Sequence, residues 1–295
     1  MARTARSRLR VGVIGAGRVG TVLALALRNA GHHLVGVSTH SDHSSVKAAT
    51  VLPGVAQGAA EEIARTSELV LLGVPDDAIG PVVDELAQAG AVADGQYVVH
   101  PSGMHGTAVL APAAERGALV AAIHPAMAFR GHYSDVGRLY GCAMGVTAAP
   151  ELHDFVEGIV HDLGGNPVWI AEEARAVYHS ALAHGVNHLV TVIAQATQLL
   201  RAAGIPDPAT VLGPLAQHAL TDSLAHGDAA LTGPIVRGDA QTVAAHLEAV
   251  SLTAPAVLPS YVALYEATVE RAVLDGRLSD EAAAQLRAVL DRSAP

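Results

Sequence analysis

Two histidines in this sequence each close an apolar run and are each followed by proline: His100 in Val99-His100-Pro101-Ser102-Gly103, and His124 in Ala122-Ile123-His124-Pro125. The proline restricts the residue before it to extended backbone. Imidazole titrates near neutral pH, as a group that hands a proton to a reacting carbonyl should. Ser102 carries a hydroxyl that could bond a substrate oxygen or a carboxamide. Each has a plainer reading, because a loop histidine can bond backbone groups and a Ser-Gly pair can simply turn the chain.

These residues need a frame, and the first part of the chain supplies one. Residues 9–14 are a short branched apolar run, and Gly15-Ala16-Gly17-Arg18-Val19-Gly20 follows. Residues 19–30 then have helical spacing and 33–39 read as a second strand. Strand, glycine turn, helix and strand together make one mononucleotide-binding half. Gly15, Gly17 and Gly20 let a pyrophosphate approach the backbone at the positive end of the helix dipole, with Arg18 and Val19 beside it.

Further strands are expected at 69–74, 97–99, 119–123, 143–146 and 167–170, with helices at 79–86, 107–116 and 151–163. This alternation implies an α/β fold with a mostly parallel sheet. From 171 onward helical patterns dominate, the first running from 172 to 203. The expected organisation is therefore a Rossmann domain over 1–170 and an all-α domain over 171–295.

An NAD site places Asp or Glu at the end of the second strand to hold the ribose hydroxyls. Here that place reads Ser38-Thr39-His40-Ser41. With no carboxylate to repel a 2′-phosphate and several donors at hand, NADP(H) is the expected cofactor. Val74 and Pro75 end another strand on the crevice side, where they could flank the cofactor.

In the helical half, His184 and His188 are four residues apart, a spacing that can ligate zinc, but Gly185 stands where a metalloprotease helix carries its glutamate and no third ligand accompanies them. No metal is expected. Tyr178, His179 and Asn187 lie on the helix expected to cover the crevice, where an amide could orient a substrate oxygen; polar caps within helix packing are the plainer reading. Arg237, in Gly233-Pro234-Ile235-Val236-Arg237-Gly238-Asp239, is shaped to clamp a carboxylate, against the blander reading of a surface ion pair with Asp239.

Composition narrows the classes. The net charge of −10 comes without a clustered basic face, which argues against nucleic acid. No stretch stays apolar for the roughly 20 residues of a membrane span, and the basic start followed by 9–14 reads as a first strand, not a signal peptide. Cys142 is the single cysteine, so there is no disulfide framework, and a reducing cytoplasm fits.

Together these motifs resemble the NADP-type reductases built from a Rossmann and a helical domain, including pyrroline-5-carboxylate reductase, ketopantoate reductase and prephenate dehydrogenase. Most closely the chain resembles a family with a Rossmann-like domain followed by a domain of unknown function, through GAGRVG, GVPDDAI, HPSG, AIHPAMAF, YHSALAHGVNHL and LTGPIVRGD. The resemblance implies homodimers built through the helical domain. His-Pro after a strand, with a serine 22 residues earlier, is similar to the prephenate dehydrogenase arrangement and implies roles for Ser102 and His124.

Ketopantoate reductases carry a helical Lys-x-x-x-Asn pair, and here Ala183 precedes Asn187 at that spacing. Proton donation then falls to histidine, tyrosine, serine or water, with His124 and His184 leading. The expected activity is NADPH-dependent reduction of a small oxoacid, ketopantoate first. Ser102 or Asn187 with Arg237 would hold the carboxylate, and His100 and His179 are further substrate contacts. A pyrroline-carboxylate-type imine reductase, a prephenate-dehydrogenase-like oxidoreductase and a non-enzymatic NADP-binding sensor are the alternatives.

Overall fold

The computed structural model describes residues 8–292. The chain divides between His184 and Gly185 into two compact units. The first holds one seven-stranded sheet: β1 (Arg10–Ile14), β2 (His33–Ser38), β3 (Leu69–Leu72), β4 (Tyr97–His100), β5 (Leu119–Pro125), β6 (Ala143–Ala148) and β7 (Asn166–Trp169). Their spatial order is β2-β1-β3-β4-β5-β6-β7. The first five run parallel, β6 runs antiparallel to β5, and β7 is parallel to β6.

Helices cover both faces, so the strands are apolar on both sides and read as short continuous runs. Val11, Val13, Leu69 and Leu71 face one core with helices Arg18–Asn29 and His153–Asp162. Ile14, Val70 and Leu72 face the other, with helix Asp76–Gln88. The order reverses between β1 and β3, and ligands in such sheets bind beyond the carboxyl ends of the strands at this switch point.

The second unit is helical: Leu189–Ala202, Pro208–His226, Ala240–Thr253, Leu258–Leu274 and Asp280–Asp291. The last three pack around Val243, Leu247, Val262, Val269 and Leu286. Asp239 and Ser279 cap two of them, accepting from the Thr242 and Ala282 amides. Among the described residues no helix is long and apolar enough to cross a membrane.

Two boundaries differ from expectation. The first unit continues past 170 to His184, where buried Arg175, on helix Arg175–Ala183, bonds to carbonyls of β5 and β6. The helix expected over 172–203 is also broken. After a 3-10 turn at Glu172–Ala174 and the helix Arg175–Ala183, the chain widens into a π turn at His184–His188 before Leu189 resumes the α form. Gly185, a poor helix former, lies inside that turn.

Candidate active site

The glycine turn is built by exclusion of side chains. Gly15 adopts φ +96°, which glycine takes without steric cost. A Cβ on it would stand 2.7 Å from Val74 Cγ1. Its N–H is shared between the Ser38 carbonyl and hydroxyl oxygens at 3.2 and 3.3 Å, tying the turn to the end of β2. Gly20, in the first turn of helix Arg18–Asn29, lies against Gly73. A Cβ on Gly20 would meet the Gly15 carbonyl oxygen at 2.4 Å, and one on Gly73 would meet Gly20 Cα at 2.7 Å.

No side chain caps the start of this helix. Its first amides thus form an anion site of the kind helix N-termini provide. Arg18 and Lys47 stand beside it, for the Arg18 Cγ and the Lys47 ammonium both lie 2.8 Å from where a Cβ on Gly131 would be. The chain's only lysine therefore accompanies the glycine turn, a position its sequence context did not reveal.

Beside the turn lies a cavity of about 340 Å³, lined among others by Arg18, Val19, Asp76, Ser102, Gly103, His124, Phe129 and His179. Its floor is the loop after β4, which side chains hold from several directions. The Ser102 hydroxyl donates to Asp76 Oδ2 at 2.9 Å and accepts from the amides of Met104 and His105. The Glu172 carboxylate accepts from the amides of Thr107 and Ala108. Burial works to raise its pKa, but these hydrogen bonds prevail and hold it below the usual carboxylate value.

His100 lies under this loop with no exposure. Its Nδ1 accepts from the Ser102 amide at 3.2 Å, which leaves Nε2 to donate to the Gly106 carbonyl at 2.7 Å. Both ring nitrogens are occupied within the turn. Burial keeps the ring neutral by lowering its pKa to about 4.

His124 does line the cavity. Its Nδ1 lies 3.0 Å from the Tyr178 hydroxyl, and its ring meets those of Tyr178 and His179 edge-on at 5.7 and 6.0 Å. Its Nε2 edge faces Gly103, where a Cβ would approach to 3.0 Å. Burial, helped by His179 and Arg175, lowers its pKa to about 4, against a smaller upward pull from Asp76.

Arg175 is 1% exposed, and its hydrogen-bond partners are all neutral: Thr147 Oγ1 at 2.8 Å and the carbonyls of Ser102, Ala122 and Gly145 at 3.1–3.3 Å. One buried guanidinium thus clamps the loop after β4 to β5 and β6. Desolvation is offset only where such acceptors saturate the charge.

The structure therefore gathers Arg18, Val19, Ser102, His124 and His179 at one cavity, and leaves His100 beneath it. Gly15, Gly17 and Gly20 form the turn, with Val74 against Gly15 and Pro75 opening helix Asp76–Gln88. Of the four residues expected at the ribose, Ser38 is bound to the turn and Ser41 caps helix Asp42–Val51. Thr39 bonds Gln57 weakly at 3.4 Å, and His40 is exposed.

His184 is exposed at the end of the first unit. Asn187 and Arg237 are exposed residues of the second unit. Asp239, offered as an ion-pair partner of Arg237, directs its carboxylate to Thr242 instead. Among the described residues no cluster suited to a metal ion occurs. Asp76, Arg175 and Glu172 are the site residues that sequence reasoning missed.

Comparison with known families matches residues 2–125 to a Rossmann-like domain and residues 142–270 to a domain of unknown function (DUF2520), whose span begins within the first compact unit. Among solved structures, a Bacteroides fragilis protein described as an NADP oxidoreductase superposes with a TM-score of 0.71 at 20% identity, covering 89% of this chain and 98% of its own. An imine reductase from Myxococcus stipitatus in complex with NADP+ gives 0.66 at 20% identity, covering 94% and 99%. Prephenate dehydrogenase from A. aeolicus gives 0.51 at 18% identity, covering 66% and 72%. At such identities the likeness is one of fold. No curated protein matches the sequence.

Proposed function

We propose that this chain, a Rossmann-like domain joined to a DUF2520 domain, is an NADP(H)-dependent oxidoreductase that reduces a small carbonyl or imine compound. The observation that carries the reading is that the uncapped glycine turn and the His124 imidazole border one cavity, through Arg18 and Val19. The residues fit a dinucleotide. Gly17 carries no side chain at the turn, where a pyrophosphate would approach backbone, and Gly15, Gly20 and Gly73 let the turn and the first helix close tightly on one another.

The absence of a carboxylate across Ser38 to Ser41, with Arg18 and Lys47 close by, favours NADP(H) over NAD(H). The bound cofactor supplies hydride. The protein's own side chains do the rest. His124, neutral at physiological pH, offers an N–H or a lone pair to the substrate heteroatom, and the Ser102–Asp76 pair fixes another part of the cavity lining.

A small oxoacid, ketopantoate first, is the substrate we assign, because a neutral imidazole N–H suits a carbonyl oxygen. An imine of the pyrroline-5-carboxylate type is the second reading. Asp76 favours it, since a carboxylate in the cavity wall suits a protonated imine.

We also infer a homodimer. Leu189, Val190, Val211, Leu215 and Leu224 are 41–81% exposed on helices Leu189–Ala202 and Pro208–His226, more apolar surface than a monomer ordinarily leaves to water. The single cysteine suits a reducing cytoplasm, where we place the protein.

Titration of nicotinamide fluorescence with NADPH and NADH, followed by NADPH oxidation with ketopantoate and with pyrroline-5-carboxylate, tests the assignment. Tighter NADPH binding and turnover of one substrate are expected. Binding without turnover of either would favour a cofactor sensor, and no binding would overturn the reading altogether.

A further inference from the structure

The cavity poses a question of proton supply. With its pKa near 4, His124 carries no surplus proton at physiological pH, and a neutral imidazole yields its N–H only if the other nitrogen is refilled in the same event. The group at that other nitrogen is the Tyr178 hydroxyl, 3.0 Å from Nδ1.

We propose that Tyr178 fixes the tautomer of His124 and refills it, donating its O–H to Nδ1 so that Nε2 presents a hydrogen to the cavity. This rests on the reading of the cavity as the site of reduction. As hydride reaches the substrate carbon, the Nε2–H bond breaks and a bond from that hydrogen to the substrate oxygen or nitrogen forms. The Tyr178 O–H bond breaks and Nδ1–H forms, leaving His124 neutral in its other tautomer and Tyr178 as phenolate. Water returns the proton as product leaves.

Three features support this direction. The Tyr178 hydroxyl lies close against the backbone at Gly145, whose amide favours the deprotonated side of the oxygen, so that the hydroxyl hydrogen is better directed to His124. Position 145 is directly opposite His124 in the β5–β6 ladder. It has to be glycine for the contact to exist, since a Cβ there would stand 2.7 Å from the Tyr178 hydroxyl.

The third is Arg175, three residues before Tyr178 on the same helix face and bonded to the Gly145 carbonyl at 3.1 Å. Its hydrogen bonds go only to neutral oxygens, so its charge is available to a phenolate formed beside it. Burial raises the Tyr178 pKa, and Arg175 pulls it back down. Tyr178 acts through His124 and is a positioning residue.

Nitrogen-15 NMR of the full chain labelled at histidine tests this without cofactor, the His124 signals being identified by their loss in His124→Gln. In the wild type Nδ1 should be bare and Nε2 protonated; in Tyr178→Phe the two tautomers should mix. Gly145→Ala, which displaces the hydroxyl but keeps both side chains, should do the same, and it serves if Tyr178→Phe does not fold.

With the two probe substrates named above, Tyr178→Phe should lower kcat about 100-fold while KM and NADPH affinity stay within about twofold. A protonated Nδ1 in the wild type, an unchanged tautomer in both variants, or an unchanged kcat overturns the proposal. Failure to bind NADPH overturns the reductase reading instead, and the cofactor-free spectrum distinguishes the two.

Discussion

The glycine turn and the wall around His124 face each other but are made in opposite ways. The turn exists because atoms are missing: Gly15, Gly20 and Gly73 approach backbone to backbone, and any Cβ would collide. The wall exists because its polar side chains have found partners; among the described residues no buried side-chain nitrogen or oxygen lacks one. The turn therefore tolerates no addition and the wall no deletion.

Substitutions that add or delete in the wrong place can break that contrast. The largest effect belongs to Gly73→Val, whose Cβ would stand 2.5 Å from the Gly15 carbonyl oxygen. Overpacking against backbone should cost roughly 3 kcal/mol or more, seen as a fall in urea midpoint and a loss of NADPH binding. A variant that folded and bound normally would show that the turn is not exclusion-built. Arg175→Met deletes from the wall and removes a donor from Thr147 Oγ1, which keeps its bond to the Ile170 carbonyl, and from three carbonyls. About 2–4 kcal/mol of destabilisation in urea is expected, and a loss below about 1 kcal/mol would remove the clamp from the account.

Acid should next distinguish the regions, since His100 and His124 belong to the wall. His100 holds its proton less tightly folded than unfolded, with a pKa of about 4 against the ordinary 6.5. The unfolded chain then binds more protons between these values, so stability is fully present above about pH 6.5 and falls as pH drops to about 4, by about 3 kcal/mol. His124 acts in the same direction. Denaturation curves across that range should show the slope, and His100→Gln should make it shallower. An unchanged slope would mean that His100 titrates normally.

The smallest effect separates charge from hydrogen bonding at Asp76. Asp76→Asn keeps an acceptor for Ser102 and should change stability by less than about 0.5 kcal/mol, whereas Asp76→Ala should cost about 1 kcal/mol. Equal losses in the two variants would make the charge the stabilising part.

The same contrast explains what the sequence disclosed. Runs such as Leu69–Leu72 are apolar on both faces, so their strand character survives without knowledge of the fold. The glycine turn is local, and its spacing is its geometry. The wall is long-range: Tyr178 meets His124 only because β6 runs antiparallel to β5 and puts Gly145 opposite His124.

Arg175 looks in sequence like any helix arginine, and Asp76 like any acid at a helix start. His100 and His124 share the same strand-His-Pro signature, yet one supports a turn and the other lines the cavity. The Ser102 and Gly106 that engage His100 follow within six residues, and that was the signal available. Ser38 and Ser41 also serve the turn and a helix cap, long-range and local roles that their place after the second strand does not disclose.

The contact of Gly20 with Gly73 also bears on how this protein can change over generations. Both positions are closed first by the Gly15 carbonyl oxygen, at 2.4 and 2.5 Å from a would-be Cβ, so neither can acquire a side chain by an adjustment of the other. A lineage moving by single substitutions finds no passage out of this pair. These two codons are expected to stay fixed for as long as the first helix rests against the turn that ends the third strand.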